Sequence, residues 1–155
     1  MTQALRDAIA MNIARLWLAG RAPFAPGTWG SGVAALIAPC LFMPLSLPWR
    51  CVMLLAVFFI GAWSAGQAER ILDCKDSGSI VIDELLGQWI ALLPFATLTP
   101  MQFFWAFVLF RFFDVLKPWP IRAAEHWMPG GYGVMIDDVL AGFAAMLVMF
   151  FVVVR

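Results

Sequence analysis

Apolar residues in this chain come in long, nearly uninterrupted runs rather than in the spaced pattern of a soluble helix or strand. The runs extend from about Trp29 to Leu47, Cys51 to Gly66, Leu85 to Leu98, Met101 to Val115 and Val139 to Val154. Crossing the ~30 Å hydrocarbon core of a bilayer takes about 20 such residues at ~1.5 Å each. Several runs are shorter, a shortfall that bilayer thinning or polar helix ends can meet. The first holds Pro39 and Pro44 and is expected to be kinked or re-entrant, and the third holds Pro94. The expected fold is all-α: a small polytopic helical membrane bundle of four or five spans, one domain over residues 1–155.

Composition supports this reading and excludes others. Hydrophobic residues make up 63% of the chain and charged residues 13%, against roughly 45–50% and 25% in soluble domains. A soluble enzyme, a disordered regulator and a nucleic-acid binder are all poor fits. Ten Lys/Arg balance ten Asp/Glu, so no net charge draws the chain to acidic partners; the partner expected is the lipid bilayer. Residues 1–20 differ from the rest. Leu5, Ile9, Ile13, Leu16 and Trp17 recur at three- or four-residue steps with Arg6, Asp7, Asn12 and Arg15 between them. That pattern predicts an amphipathic helix on the membrane surface or packed on the bundle. It lacks the basic start and unbroken apolar core of a cleaved signal peptide. Cys40 and Cys51 lie in apolar runs, no C-x-x-C pair occurs, and both thiols are expected to be buried.

Five alternating spans sort the charges. The N-terminal region and segments 67–84 and 116–138 fall on one side and, with the charges at span ends included, that side holds eight of the ten Lys/Arg and all ten acids. Arg50 and Arg155 fall on the other. The excess of basic residues makes the first side cytoplasmic. Acids also gather at span ends there: Asp83 and Glu84 begin the third span, Asp114 ends the fourth, and Asp137 and Asp138 begin the fifth. If those helices pack together, up to five carboxylates converge at the membrane surface. Helix-dipole capping accounts for Asp83, Glu84, Asp137 and Asp138 one pair at a time. It does not account for Asp114, at a helix C-terminus, unless that residue pairs with Arg111 or Lys117. Gly87 and Gly142 stand four residues after Asp83 and Asp138, on the same helix faces, where they let backbones approach.

Like charges held close need cations. Arg111, Lys117 and Arg122 are available, and carboxylate oxygens suit Mg²⁺. His126 is the only histidine, so zinc is a poor fit; it is expected to be an interfacial side chain, as are Trp119 and Trp127. Lys117-Pro118 is expected to end the fourth helix. Two polar segments are candidates for phosphate: Pro26-Gly27-Thr28-Trp29-Gly30-Ser31 entering the first span, and Asp76-Ser77-Gly78-Ser79. Free N–H groups at a helix start hold anions, although a plain capped turn explains either segment.

Four motifs, in order, resemble the phosphatidylglycerophosphatase A family. They are Pro-Gly-Thr-x-Gly-Ser at 26–31, Gly-Ser-Ile-Val-x-Asp-Glu at 78–84, Phe-Arg-x-x-Asp-x-x-Lys-Pro-x-Pro-Ile at 110–121 and Gly-x-Met-x-Asp-Asp at 133–138. The resemblance covers nearly all of the chain after about residue 20. It implies a Mg²⁺-dependent, multi-pass phosphatase of the bacterial inner membrane, with its working face cytoplasmic, that converts phosphatidylglycerophosphate to phosphatidylglycerol. Carried onto this chain, Asp83, Glu84, Asp114 and Asp138 are the implied metal ligands, with Asp137 a further ligand or their support. Lys117 and Arg111 would contact phosphate or orient Asp114, and Thr28, Ser31, Ser79 and Arg122 are candidate phosphate contacts. A water would attack phosphorus, with an unligated carboxylate as base.

Other phosphatase chemistries lack their residues. No cysteine has Arg six positions on, no Asp-x-Asp occurs, and one histidine cannot supply a histidine-nucleophile site. The Asp-Gly-x-x-Ala-Arg pattern of CDP-alcohol phosphotransferases is also absent. Two rival classes remain: a small membrane cation transporter, whose acids belong near mid-bilayer, and a non-catalytic assembly subunit, whose acids pair with a partner.

Overall fold

The computed structural model describes residues 2–75 and 77–153. Asp76 of the second polar turn, and Val154 and Arg155 at the end of the fifth run, lie outside the described residues. The chain forms seven α-helices, with no strand among the described residues: α1 (Gln3–Ala14), α2 (Pro26–Leu41), α3 (Leu47–Leu72), α4 (Ile82–Leu92), α5 (Pro100–Leu116), α6 (Ile121–Ala124) and α7 (Gly131–Val148). A π-helical turn, Met149–Val153, extends α7.

The all-α expectation holds, but the span count is narrower than expected. Only α3 and the α7 segment Gly131–Val152 are long and apolar enough to cross a membrane among the described residues. The α2, α4 and α5 helices have 16, 11 and 17 residues, so α4 rises only about 17 Å. Proline sets two of these limits. The helix α4 stops at Leu92, two residues before Pro94, which has no N–H to continue the ladder and whose ring would crowd the carbonyl four residues back. Similarly, α2 carries Pro39 in its last turn and ends before Pro44. Lys117, before Pro118, ends α5 as expected, in the left-handed region at φ 43°.

The main helices α2, α3, α4, α5 and α7 alternate in direction, which brings two sets of ends together. At the end without acids, the buried Arg50 near the start of α3 does the joining. Its Nε donates to the Leu45 carbonyl (2.9 Å), Nη1 to those of Leu93 (3.0 Å) and Phe95 (2.6 Å), and Nη2 to that of Met43. These carbonyls lie just past the C-termini of α2 and α4, where a cation also meets the negative ends of the helix dipoles. The guanidinium lies 5.6 Å from the Phe42 ring centre, and Phe42 stacks on Trp89 at 5.0 Å. Trp89 Nε1 donates to the Ala34 carbonyl at 2.9 Å, tying α4 to α2. Arg50→Met would leave these carbonyls without their donor. The expected loss is about 2 kcal/mol of stability, read as a lowered thermal midpoint in detergent.

The N-terminal helix packs on the bundle, against α3, but not through the expected side chains. Its buried seam is Ala10 and Ala14, while Leu5, Ile9 and Trp17 are exposed. Cys40 and Cys51 are exposed as well, not buried. The reason is common to all of them. Where both faces of a helix are apolar, apolar character does not fix which one turns inward; small residues that permit close approach do. Leu36, Leu55, Phe59, Phe104 and Val115 are likewise exposed along α2, α3 and α5.

Candidate active site

The acid-bearing ends of α4, α5 and α7 meet the start of α2 at one end of the bundle, and glycine permits the meeting. The α4 and α7 helices form the most extensive helix pair. They cross where Gly142 faces Gly87: a Cβ on Gly142 would overlap the Gly87 carbonyl oxygen and stand 3.0 Å from Gly87 Cα. One turn nearer the acidic end, Asp83 and Asp138 are thereby brought face to face. Gly27 plays the corresponding part on α2, where a Cβ would overlap Glu84 Oε1 and lie 3.1 Å from Arg111 Nη1.

Asp83, Glu84 and Asp138 form the centre. One carboxylate oxygen from each lies within 4.8 Å of the others. Asp83 Oδ1, Glu84 Oε2 and Asp138 Oδ2 are buried and make no hydrogen bond. Asp114 stands at the edge of this group, close enough to Asp138 for their side chains to interact, and is held by Arg111 in an ion pair. Arg111 Nη1 also lies 3.8 Å from Glu84 Oε1 and donates to Ser31 Oγ at 3.4 Å. Asp137, the residue preceding Asp138 on α7, has other partners. Its Oδ2 accepts from Lys117 Nζ at 2.5 Å, and Lys117 pairs with Glu125 as well. Burial opposes the charge on Lys117, but its bonds to Asp137 and Glu125 outweigh that and raise its pKa above the ordinary lysine value. It stays a fixed cation at neutral pH.

The two cations are thus committed to Glu84 and Asp114, and to Asp137 and Glu125. Asp83 and Asp138 have no salt bridge among the described residues. Buried carboxylates left this way are costly. Three converging carboxylates, each with one buried oxygen that makes no hydrogen bond, fit a divalent ion such as Mg²⁺.

The structure corrects several expected placements. Asp137 and Asp138 do not begin their helix. It starts eight residues before Val139, so both acids sit about two turns inside, only 4% and 2% exposed. Gly131 and Gly133 lie in its first turn, where a Cβ would overlap the Ala62 carbonyl oxygen or stand 2.6 Å from that of Met128. Segment 26–31 is the opening of α2, the helix start expected there, and the Thr28 and Trp29 amides donate to the Ala25 carbonyl. Thr28 is exposed, whereas Ser31 is buried and donates to the Gly27 carbonyl at 2.8 Å. Ser79 is turned toward the N-terminal region, with its hydroxyl 3.1 Å from that of Ser77 and its carbonyl against Gly20. Arg122 is exposed and makes no ion pair among the described residues. Glu125 was not anticipated; its sequence gives only an isolated acid in a connecting segment.

Fold and site define an all-helical protein with apolar helices and a buried carboxylate cluster at one set of helix ends. The chain belongs to the phosphatidylglycerophosphatase A family, whose sequence profile matches residues 12–153. It is 38% identical over 126 residues to the phosphatidylglycerophosphatase A of Haemophilus influenzae, covering 81% of this chain and 77% of that one. To that of Escherichia coli it is 37% identical over 135 residues, covering 86% and 77%. A Bacteroides thetaiotaomicron protein described as a "Putative phosphatidylinositol-3-phosphatase" is 41% identical over 131 residues, covering 79% and 80%. No solved structure matches this chain.

Proposed function

We propose that this chain is a Mg²⁺-dependent phosphatase of the bacterial inner membrane. It removes the terminal phosphate of phosphatidylglycerophosphate at the cytoplasmic face, yielding phosphatidylglycerol for phospholipid synthesis. The observation that carries the chemistry is the convergence of Asp83, Glu84 and Asp138 with an unpartnered buried oxygen on each. Family membership carries the substrate. The five alternating helices are read as a multi-pass bundle, with the short α2, α4 and α5 accommodated by local bilayer thinning.

Phosphoryl transfer depends on positioning and on charge neutralisation. Asp83, Glu84 and Asp138 would hold the ion, with Asp114 completing the set. When bound, Mg²⁺ supplies Lewis-acid neutralisation of the phosphate oxygens and acidifies a nearby water. Arg111, aimed by Ser31, Glu84 and Asp114, offers a guanidinium edge to the phosphoryl group. Asp137 has one oxygen fixed by Lys117 and the other, Oδ1, buried and free. A carboxylate oxygen of the cluster left off the ion takes the proton of the attacking water as its oxygen bonds to phosphorus. The ester P–O bond breaks, and the glycerol oxygen leaves as an alcohol on receiving that proton from the carboxyl.

The test is phosphate release by purified protein from phosphatidylglycerophosphate in mixed micelles, with Mg²⁺ or EDTA. Release that EDTA abolishes is expected, and phosphatidylinositol 3-phosphate should be the poorer substrate. Preference for the phosphoinositide would overturn the substrate assignment. Absence of release from folded protein, across lipid phosphates and divalent metals, would favour the transporter or assembly readings.

A further inference from the structure

A cavity of about 230 Å³ opens beside Asp137, walled by Lys75, Glu125, His126 and the first turn of α7 at Gly130 and Gly133. It is smaller than the roughly 300–1,000 Å³ of pockets that enclose a drug-sized ligand, so it suits a polar headgroup and not an acyl chain. Its walls divide into two kinds. Glu125 and Asp137 offer carboxylate oxygens, and both pair with Lys117. Lys75 makes no salt bridge among the described residues, and His126 can donate from a ring nitrogen in either neutral tautomer. The start of α7 adds the positive end of an 18-residue helix. A cation, a second donor and paired acceptors are what a polyol joined to a phosphodiester requires. Asp137 separates this cavity from the carboxylate cluster by a single residue, because Asp138 belongs to the cluster.

Resting on the phosphatase reading above, we infer that this cavity is the headgroup subsite. It holds the glycerol and internal phosphodiester of the substrate while the terminal phosphomonoester lies at Asp83, Glu84 and Asp138. Lys75 and His126 contact the diester oxygens, and Glu125 and Asp137 accept from glycerol hydroxyls. Lys75 and His126 are therefore specificity-determining residues: they distinguish a lipid carrying both a diester and a monoester from one carrying a monoester alone.

The test compares wild type with Lys75→Ala, His126→Ala and Lys75→Arg. The substrates are phosphatidylglycerophosphate and phosphatidate, which lacks the diester. Both alanine variants should raise KM for phosphatidylglycerophosphate about tenfold, the size of one charge-assisted contact open to water. Their kcat, and any activity on phosphatidate, should stay within about twofold. Inhibition by glycerophosphoglycerol, a soluble diester with no monoester, should weaken by the same factor, and Lys75→Arg should recover most of it. Unchanged KM, or equal losses on both lipids, would overturn the subsite. Inactive wild-type protein would instead count against the phosphatase reading. Calorimetric binding of glycerophosphoglycerol to wild type but not to Lys75→Ala would still support the cavity, and equal binding would refute it.

Discussion

Asp138→Asn is expected to lower kcat/KM for phosphatidylglycerophosphate by about a thousandfold, with the protein still folded. The substitution keeps the shape of the side chain and removes one charge from a buried group of three. Asp138 is 2% exposed, has one oxygen with no hydrogen bond, and places an oxygen within 4.8 Å of one from each of Asp83 and Glu84. An amide is a weaker ligand for a hard cation, and it presents an N–H₂ where a second oxygen stood. Losing one group that stabilises transition-state charge costs about 10²–10³ in rate, and here the whole ion is at stake. Stability should hold or rise, since like-charge repulsion among the acids is relieved. Phosphate release and thermal midpoint, measured on one preparation, separate these effects. Activity within about tenfold of wild type would remove Asp138 from the site.

Gly142→Leu is expected to be nearly as damaging by a different route. The side chain would enter the α4–α7 crossing, where even a Cβ overlaps the Gly87 carbonyl oxygen and stands 3.0 Å from Ile90 Cβ. Overpacking of this kind costs about 1–3 kcal/mol. The helices would separate, and Asp83 and Glu84 ride on one while Asp138 rides on the other. A displacement of about 1 Å between reacting groups costs on the order of 10² in rate. Both the thermal midpoint and kcat should fall. Gly32→Ala is the control, because a Cβ there meets nothing within 4 Å. If Gly142→Leu retained wild-type activity, the helix crossing would not be what sets the site.

The site was legible in the sequence because its logic is one of register. Acids at the ends of alternating apolar runs must share a face, and Gly87 and Gly142, each four residues on, must share the packing stripe. Both deductions need only helical spacing. The Arg111–Asp114 pairing and the end of α5 before Pro118 followed from equally local rules. What was not legible depends on partners distant in sequence. Arg50 looked like a loop charge; its role as donor to carbonyls near residues 43–45 and 93–95 exists only once α2, α3 and α4 pack. Glu125 acquires meaning only by meeting Lys117. The exposure of Cys40 and Cys51 could not be read from hydropathy, because the outside of an apolar bundle is as apolar as its interior. The start of α7 was misplaced because glycine marks both a turn and a close helix contact, and only the neighbouring α3 backbone decides between them.

The central claim is that the helix-end carboxylates hold a divalent ion. Mn²⁺ binding to the purified protein, followed by electron paramagnetic resonance, tests it without reference to turnover. The account predicts saturable binding that Mg²⁺ competes away. The combined Asp83→Asn, Glu84→Gln and Asp138→Asn variant should lose it, and Asp7→Asn, altered on the distant α1, should retain it. Undiminished Mn²⁺ binding in the folded triple variant would contradict the account.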